Sequence, residues 1–285
     1  MSVFQSIILG VIQGVAEFLP ISSSGHLAVA QRLFGLDEVP LLFDVMLHLA
    51  TLAAVVLYFR RRIARLLCIF ARWILRKPAE PDPADISCAE TDLLTGTESL
   101  GRKTILAVIL ATFVTGAIGV LTSRLIPDLP LKVTCAGFLV TAGLLVLSSI
   151  REKNHAKRVS ERKGISVRQS LFIGFMQGIG TLPGISRSGS TIAGAQLAGV
   201  GRAAAGEFSF LVSIPAILGA FVLEAKDLGE VGSQIGALPV VCGCLAAFAW
   251  GFLSLSLLMR LIRRGKLEWF ACYLVPLGIL GLIFF

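Results

Sequence analysis

The sequence predicts an all-α polytopic membrane protein, an inverted-topology repeat of six full transmembrane helices plus two re-entrant helical hairpins. Three observations predict it. First, the 285 residues are 55% hydrophobic and only 15% charged, with mean hydropathy +0.83. A soluble domain carries about 25% charged residues, and several runs here approach the ~20 apolar residues that cross a bilayer. Second, a short passage that breaks an apolar segment with Pro, Ser and Gly occurs twice, 164 residues apart. Third, the basic residues gather in three loops, which orients the chain.

The elements follow in order. Residues 2–34 hold an apolar stretch, a Pro/Ser/Gly break and a second short apolar stretch, which together read as a hairpin of two half-helices. Irregular backbone at membrane depth is tolerated only where it is buried in protein or lines a polar cavity. The N-terminus is apolar from Val3 and has no basic leader region or cleavage site, so it reads as mature structure rather than a signal peptide. A full span follows at 41–59, then a cytoplasmic loop, 60–103. That loop opens with Arg60, Arg61, Arg62, Arg65, Arg72, Arg76 and Lys77 and becomes polar and rich in Pro, Asp and Glu over 78–101. Spans at 104–122 and 131–150 complete a first repeat, 1–150. The second repeat, 169–285, has a hairpin at 169–199 and spans at 207–224, 237–259 and 269–285.

The loop after 150 carries Arg151, Lys153, Lys157, Arg158, Arg162 and Lys163, and the loop after 259 carries Arg260, Arg263, Arg264 and Lys266. The connection 225–236 is acidic on balance, with Asp227 and Glu230 against Lys226. Basic loops lie on the cytoplasmic side. The first hairpin then comes in from outside, the second from inside, and both chain ends lie outside. The two halves thus have opposite orientation, with broken helices meeting near the midplane. The offset also carries Gly35 to Gly199, and the span starting at Phe43 to the one starting at Glu207. Residues 1–285 read as a single membrane domain without a soluble one. The net charge of +8 is the footprint of topology and anionic lipid, not of nucleic acid. Six cysteines at 68, 88, 135, 242, 244 and 272 form no CxxC pair and read as small apolar fillers.

The chemistry sits in the two breaks. The first reads Gln13-Gly14-Val15-Ala16-Glu17-Phe18-Leu19-Pro20-Ile21-Ser22-Ser23-Ser24-Gly25-His26. The second reads Gln177-Gly178-Ile179-Gly180-Thr181-Leu182-Pro183-Gly184-Ile185-Ser186-Arg187-Ser188-Gly189-Ser190. Polar and ionisable groups are costly in hydrocarbon, so such a cluster inside the membrane marks a functional site. A new half-helix is expected from about Gly25 and from about Gly189, and its free N–H groups and dipole attract anions. Ser22, Ser23, Ser24, Ser186, Ser188, Ser190 and Thr191 add hydroxyls, and Arg187 adds a planar fork that suits phosphate oxygens. Ser and Gly also serve helix packing and capping, whereas a buried guanidinium needs an anion. Glu17 shares a helix face with Gln13 and can ligate a hard cation or act as a base. His26 can be nucleophile or acid/base. His48, in Phe43-Asp44-Val45-Met46-Leu47-His48, either lines the cavity or is a hydrogen-bonded residue of its span. His155 reads as a solvated loop residue.

Gln13-x-x-x-Glu17, Ser22-Ser23-Ser24-Gly25-His26 and Pro183-Gly184-Ile185-Ser186-Arg187-Ser188-Gly189-Ser190-Thr191 resemble the signature motifs of the bacterial undecaprenyl-pyrophosphate phosphatase family, also known for bacitracin resistance. The resemblance runs nearly the whole chain and includes the Phe43–His48 stretch and Arg202 with Glu207-Phe208-Ser209-Phe210. It implies removal of the terminal phosphate from a C55 isoprenoid pyrophosphate, which regenerates the carrier lipid of cell-wall synthesis. It also implies a divalent cation, Mg2+ or Ca2+, and a place in the bacterial cytoplasmic (inner) membrane. Glu17 would be the essential acidic residue, Arg187 the phosphate-binding arginine, and Ser23 and His26 the candidates for nucleophile or acid/base. Gln13 stands where many members carry Glu, so Gln13 and Glu17 are the expected cation ligands. Ser22, Ser24, Gly25, Ser186, Ser188, Gly189 and Thr191 are expected to bind the pyrophosphate with Arg187. The expected partners are the polyprenyl pyrophosphate and the bilayer, with a homodimer left open. The opening is expected on the outer, periplasmic side, where the spent carrier is released. The rival reading is a transporter or flippase for a polyprenyl phosphate lipid, because inverted repeats with broken helices are the architecture of alternating-access carriers.

Overall fold

The computed structural model describes residues 1–36, 39, 41–77, 94–125, 129–155, 164–224 and 235–285. Among them it forms eleven helices and no strand. These are α1 (Val3–Phe18), α2 (Ser23–Leu33), α3 (Leu41–Tyr58), α4 (Arg60–Ile74), α5 (Glu98–Leu125) and α6 (Leu131–His155). They continue with α7 (Val167–Ile179), α8 (Arg187–Leu197), α9 (Arg202–Glu224), α10 (Ala237–Arg264) and α11 (Trp269–Phe284).

Four helices are long and apolar enough to cross a membrane: α5, α6 over Leu131–Glu152, α9 over Arg202–Leu223, and α10. A fifth is counted if α3 and α4 form one span, although they meet at a bend of 81°. The apolar helices α1 and α11 have 16 residues each. The described residues are therefore those of an all-helical membrane protein with four to five candidate apolar spans.

Two sequence expectations shift. The segment 60–103 is not all loop: α4 occupies its first 15 residues and α5 begins within it, at Glu98. A run of arginines looks like a solvated loop, yet Arg is a good helix former and the interleaved Ile, Leu and Phe keep a helical period. The half-helices also start two residues earlier than expected, at Ser23 and Arg187, because the first serine of each motif is the cap. Residues 78–93 and the acidic connection around Asp227 and Glu230 lie outside the described residues, as does the His155 side chain.

The 164-residue offset reappears in the helix ends. Ser2 and Gln5 form a capping box on α1, and Ser166 and Gln169 form the same box on α7, each satisfying otherwise orphan N–H groups. Gly35 and Gly199 both take positive φ, 63° and 85°. Packing is exchanged between halves: α1 lies along α10, and α7 lies along α5. Equivalent glycines permit the close approach, since a Cβ at Gly10 would overlap the Gly243 carbonyl and one at Gly174 would lie 2.6 Å from the Ala111 oxygen. Small residues at such crossings let helices gain dispersion contacts that lipid cannot supply. Serine and threonine hydroxyls add to both interfaces, from Ser254 to the Gly14 carbonyl (2.6 Å) and from Thr115 to the Gly174 carbonyl (3.0 Å).

Candidate active site at the two helix breaks

The breaks α1–α2 and α7–α8 touch each other. Ser188 Oγ donates to the Leu19 carbonyl at 3.4 Å. A Cβ on Gly189 would sit 3.2 Å from Pro20 Cβ, and one on Gly25 would sit 3.2 Å from Gly184 Cα. Gly184 has φ +84°, and a side chain there would overlap the carbonyl of Thr134 on α6, so no other residue fits this turn. Ser22 and Ser186 are the N-caps of α2 and α8, accepting from the N–H of Gly25 (3.4 Å) and of Gly189 (3.1 Å). The Ser186 N–H is in turn held by Thr141 Oγ1 at 2.9 Å. Two capped helix N-termini thus meet at one place, each with residual positive potential.

Glu17 lies between them at the end of α1, 5% exposed. Its Oε1 is paired with Arg187 Nη2, across the two breaks. Its Oε2 accepts from Ser23 Oγ at 2.6 Å and Gln13 Nε2 at 3.0 Å, and lies 3.4 Å from His48 Nε2. A buried carboxylate is tolerable only when its lone pairs are answered in this way. Two atoms of the cluster are buried without a hydrogen-bond partner, Gln13 Oε1 and Arg187 Nη1. One is an acceptor beside a carboxylate and the other a cationic donor.

The other expected residues fall as follows. Ser24 is exposed, with its hydroxyl 3.4 Å from Ser22 Oγ, and Ser188 repeats the arrangement 3.2 Å from Ser186 Oγ. Thr191 is buried and spends its hydroxyl on the Arg187 carbonyl (2.6 Å). His26 does not bond to Glu17 or Arg187. Its Nδ1 lies 2.7 Å from the Ser22 carbonyl and its Nε2 lies 2.8 Å from the Tyr273 hydroxyl on α11. The ring stacks on Tyr273 and meets Phe138 of α6 edge-on. The histidine next to the Glu17 carboxylate is His48, whose Nδ1 donates to the Asp44 carbonyl at 2.7 Å.

Sequence reasoning missed Tyr273 and Thr141, and it left His48 open between a cavity residue and a hydrogen-bonded residue of its span. Tyr273 and Thr141 stand in apolar runs with no local signal, whereas His48 is a polar residue in the middle of a span, which was a usable sign.

Among the described residues no group of three or more His, Cys, Asp or Glu side chains converges as a metal centre would require. Gln13 Oε1 and the Glu17 carboxylate are nevertheless hard oxygen donors, and one of them is unpartnered, which suits Mg2+ or Ca2+.

The chain is similar to known proteins over nearly its whole length. The family model described as bacitracin resistance protein BacA matches residues 6–280. A protein of Treponema denticola named undecaprenyl-diphosphatase is 43% identical over 98% of this chain and 96% of its own length. Proteins of the same name from Borrelia recurrentis and Carboxydothermus hydrogenoformans are 36% and 35% identical over 100% and 99% of this chain, and 98% and 97% of their own lengths. With the matched stretch taking in both helix breaks and nearly every helix between and around them, the chain belongs to the bacitracin resistance protein BacA family.

Proposed function

We propose that this protein is a membrane phosphatase that hydrolyses undecaprenyl pyrophosphate to the monophosphate and inorganic phosphate, returning the carrier lipid to cell-wall synthesis and so opposing bacitracin. The observation that carries the reading is the meeting of two helix N-termini around Glu17 and Arg187. Such a place binds a diphosphate and also holds a base and a hydroxyl. The relatives' shared name, undecaprenyl-diphosphatase, supports the same substrate.

The chemistry follows from the contacts. The pyrophosphate draws the Arg187 guanidinium onto its oxygens, where Nη1 is already unpartnered, while the N–H groups behind Ser22 and Ser186 take further oxygens. Glu17, freed of Arg187, accepts the proton of Ser23, whose hydroxyl already points at Oε2. Ser23 Oγ forms a bond to the terminal phosphorus as the anhydride oxygen leaves with the prenyl monophosphate. Water then releases phosphate from Ser23. Arg187 stabilises charge on the equatorial oxygens, as in other phosphoryl transfers. Ser24, Gly25, Ser188, Gly189 and Thr191 shape the two anion-binding turns. A divalent cation held by Gln13 and Glu17 would supply charge neutralisation on the phosphates. His26, bound to Tyr273, stands one helical turn from Ser23 as the acid or base that serves the second step.

The layout we propose is the inverted repeat, with 1–150 and 169–285 as its halves, α1–α2 and α7–α8 as re-entrant hairpins and six spans around them. The shared offset of caps and left-handed glycines supports it. Arginine-rich helix ends support a cytoplasmic-side position for α4 and for the C-terminal ends of α6 and α10 in a bacterial inner membrane, with the site opening outward. The test uses purified protein in detergent with a prenyl pyrophosphate and Mg2+. Stoichiometric inorganic phosphate is the expected product. No phosphate in detergent, with transfer of the lipid across reconstituted vesicles, would assign the protein to carriers instead.

A further inference from the structure

Helix α4 has a basic side and a broad apolar side, part of it packed and part of it exposed. Ile63, Leu66 and Ile69 pack onto the bundle. Leu67, Phe70 and Ile74, at i, i+3 and i+7, form a stripe that is 61%, 37% and 63% exposed. Arg61, Arg65 and Arg72, at i, i+4 and i+11, lie on the far side from that stripe. Arg76 and Lys77 follow, both exposed. The helix turns through 81° from α3 at the break between them. Because α3 is an apolar helix of the bundle, α4 runs across the bundle end rather than along it. Three polar anchors hold it there: Arg62 with the buried Glu207 of α9, Arg72 with Glu98 of α5 at 3.7 Å, and Arg65 donating to the Gly96 carbonyl at 2.9 Å.

We propose that α4 is an interfacial helix that docks on an anionic phospholipid surface. Its Leu67–Phe70–Ile74 stripe is buried among the acyl chains of the leaflet on its own side, and Arg61 with the Arg76–Lys77 tail binds phosphate head groups. The bend sets the helix in the plane of the membrane. The stripe needs a hydrocarbon cover, and the arginines match anionic head groups in charge. A stripe of three residues with arginines opposite is the pattern of a helix lying at the boundary of head group and chain. Neither feature serves the phosphatase site, and the proposal does not depend on that activity or on which face of the membrane is cytoplasmic.

The test uses the full-length protein reconstituted in phosphatidylcholine vesicles with and without phosphatidylglycerol. An environment-sensitive fluorophore is attached either at the native Cys68, which is exposed on the arginine side, or at F70C with C68A, the other cysteines being replaced by alanine. The expected result is quenching at position 70 by lipids brominated high on the acyl chain and at position 68 by aqueous iodide. Iodide quenching of both positions alike would overturn the proposal. So would protection of position 70 from both quenchers, the sign that a second protein copy covers the stripe. A quencher on the head group of phosphatidylglycerol is expected to act several-fold more strongly on Cys68 than one on phosphatidylcholine, and R61Q/R76Q/K77Q is expected to remove the difference. Equal quenching by both lipids in the parent chain, or a difference that survives the triple substitution, would overturn the head-group assignment.

Discussion

Ser23 and Arg187 are the first residues of α2 and α8, equivalent positions 164 residues apart, and they bind opposite oxygens of the same Glu17 carboxylate. One copy of the motif supplies a hydroxyl and the other a guanidinium. In the chemistry proposed above, the difference at this one position sets a nucleophile on one side of the carboxylate and a counter-charge on the other.

Arg187→Ala removes that counter-charge. Loss of one preorganised donor to a developing oxyanion costs about 10²–10³ in rate, and phosphate release is expected to fall at least that far. Arg187→Lys should rescue little of it, because an ammonium does not reproduce the planar fork. Phosphate assays at saturating prenyl pyrophosphate check both.

Ser23→Ala and Glu17→Gln act on one proton transfer. Each is expected to lower kcat by roughly 10²–10⁴, the range of general-base contributions. With labelled terminal phosphate and an acid quench, a phosphoenzyme should be trapped in the parent chain and be absent from Ser23→Ala. A label that persists in Ser23→Ala and is lost in His26→Ala would move the nucleophile to His26.

His48 acts through Glu17, from 3.4 Å. Supporting residues around a charged centre typically contribute 10–100-fold, so His48→Ala should lower kcat by about 10-fold with KM little changed. Combined with Glu17→Gln, the losses should fall short of additive by about 0.5–3 kcal/mol, the usual coupling of residues in contact. Strict additivity in the double-mutant cycle would separate the two residues.

Chelation should stop turnover, and added Mg2+ or Ca2+ should restore it. Gln13→Ala, which removes the unpartnered Oε1, is expected to raise the cation concentration for half-maximal activity by roughly 10-fold, and Gln13→Glu to lower it. A titration midpoint identical in all three proteins would exclude Gln13 from the cation site.

Gly184→Ala tests the backbone of the second break. At φ +84° with the Thr134 carbonyl in the way, the substitution forces strain of about 1–3 kcal/mol and shifts the α8 N-terminus away from Glu17. A lower melting temperature in detergent and a loss of phosphate release are expected together.

The sequence carried some of this arrangement openly. Ser22 and Ser186 are caps and Gly184 a turn residue, and such signals are local, so the breaks and the half-helices after them could be read within two residues. The Glu17–Arg187 pairing was legible because the repeated motif, read as two hairpins of opposite orientation, was expected to bring the two tips together. His48 and Tyr273 were harder. Their places beside Glu17 and His26 depend on how α3 and α11 rotate about their own axes, and helices apolar over most of their length give little hint of which side faces inward. Helix α4 was hidden for a different reason: Arg62, Arg72 and Arg65 are spent on Glu207, Glu98 and a backbone carbonyl, and a charge run shows no sign in sequence of having partners.

The exchanged packing of α1 on α10 and α7 on α5 bears on how the protein is made. A ribosome delivers α1 first, yet the surface its glycines fit arrives only with residues 237–264. Until then the oldest helix waits in the membrane with its small-residue face against lipid and Glu17 without Arg187. Neither half is therefore a self-sufficient folding unit. Chains truncated before α10 should be degraded, while two halves synthesised as separate polypeptides in one cell should find each other and restore a working enzyme.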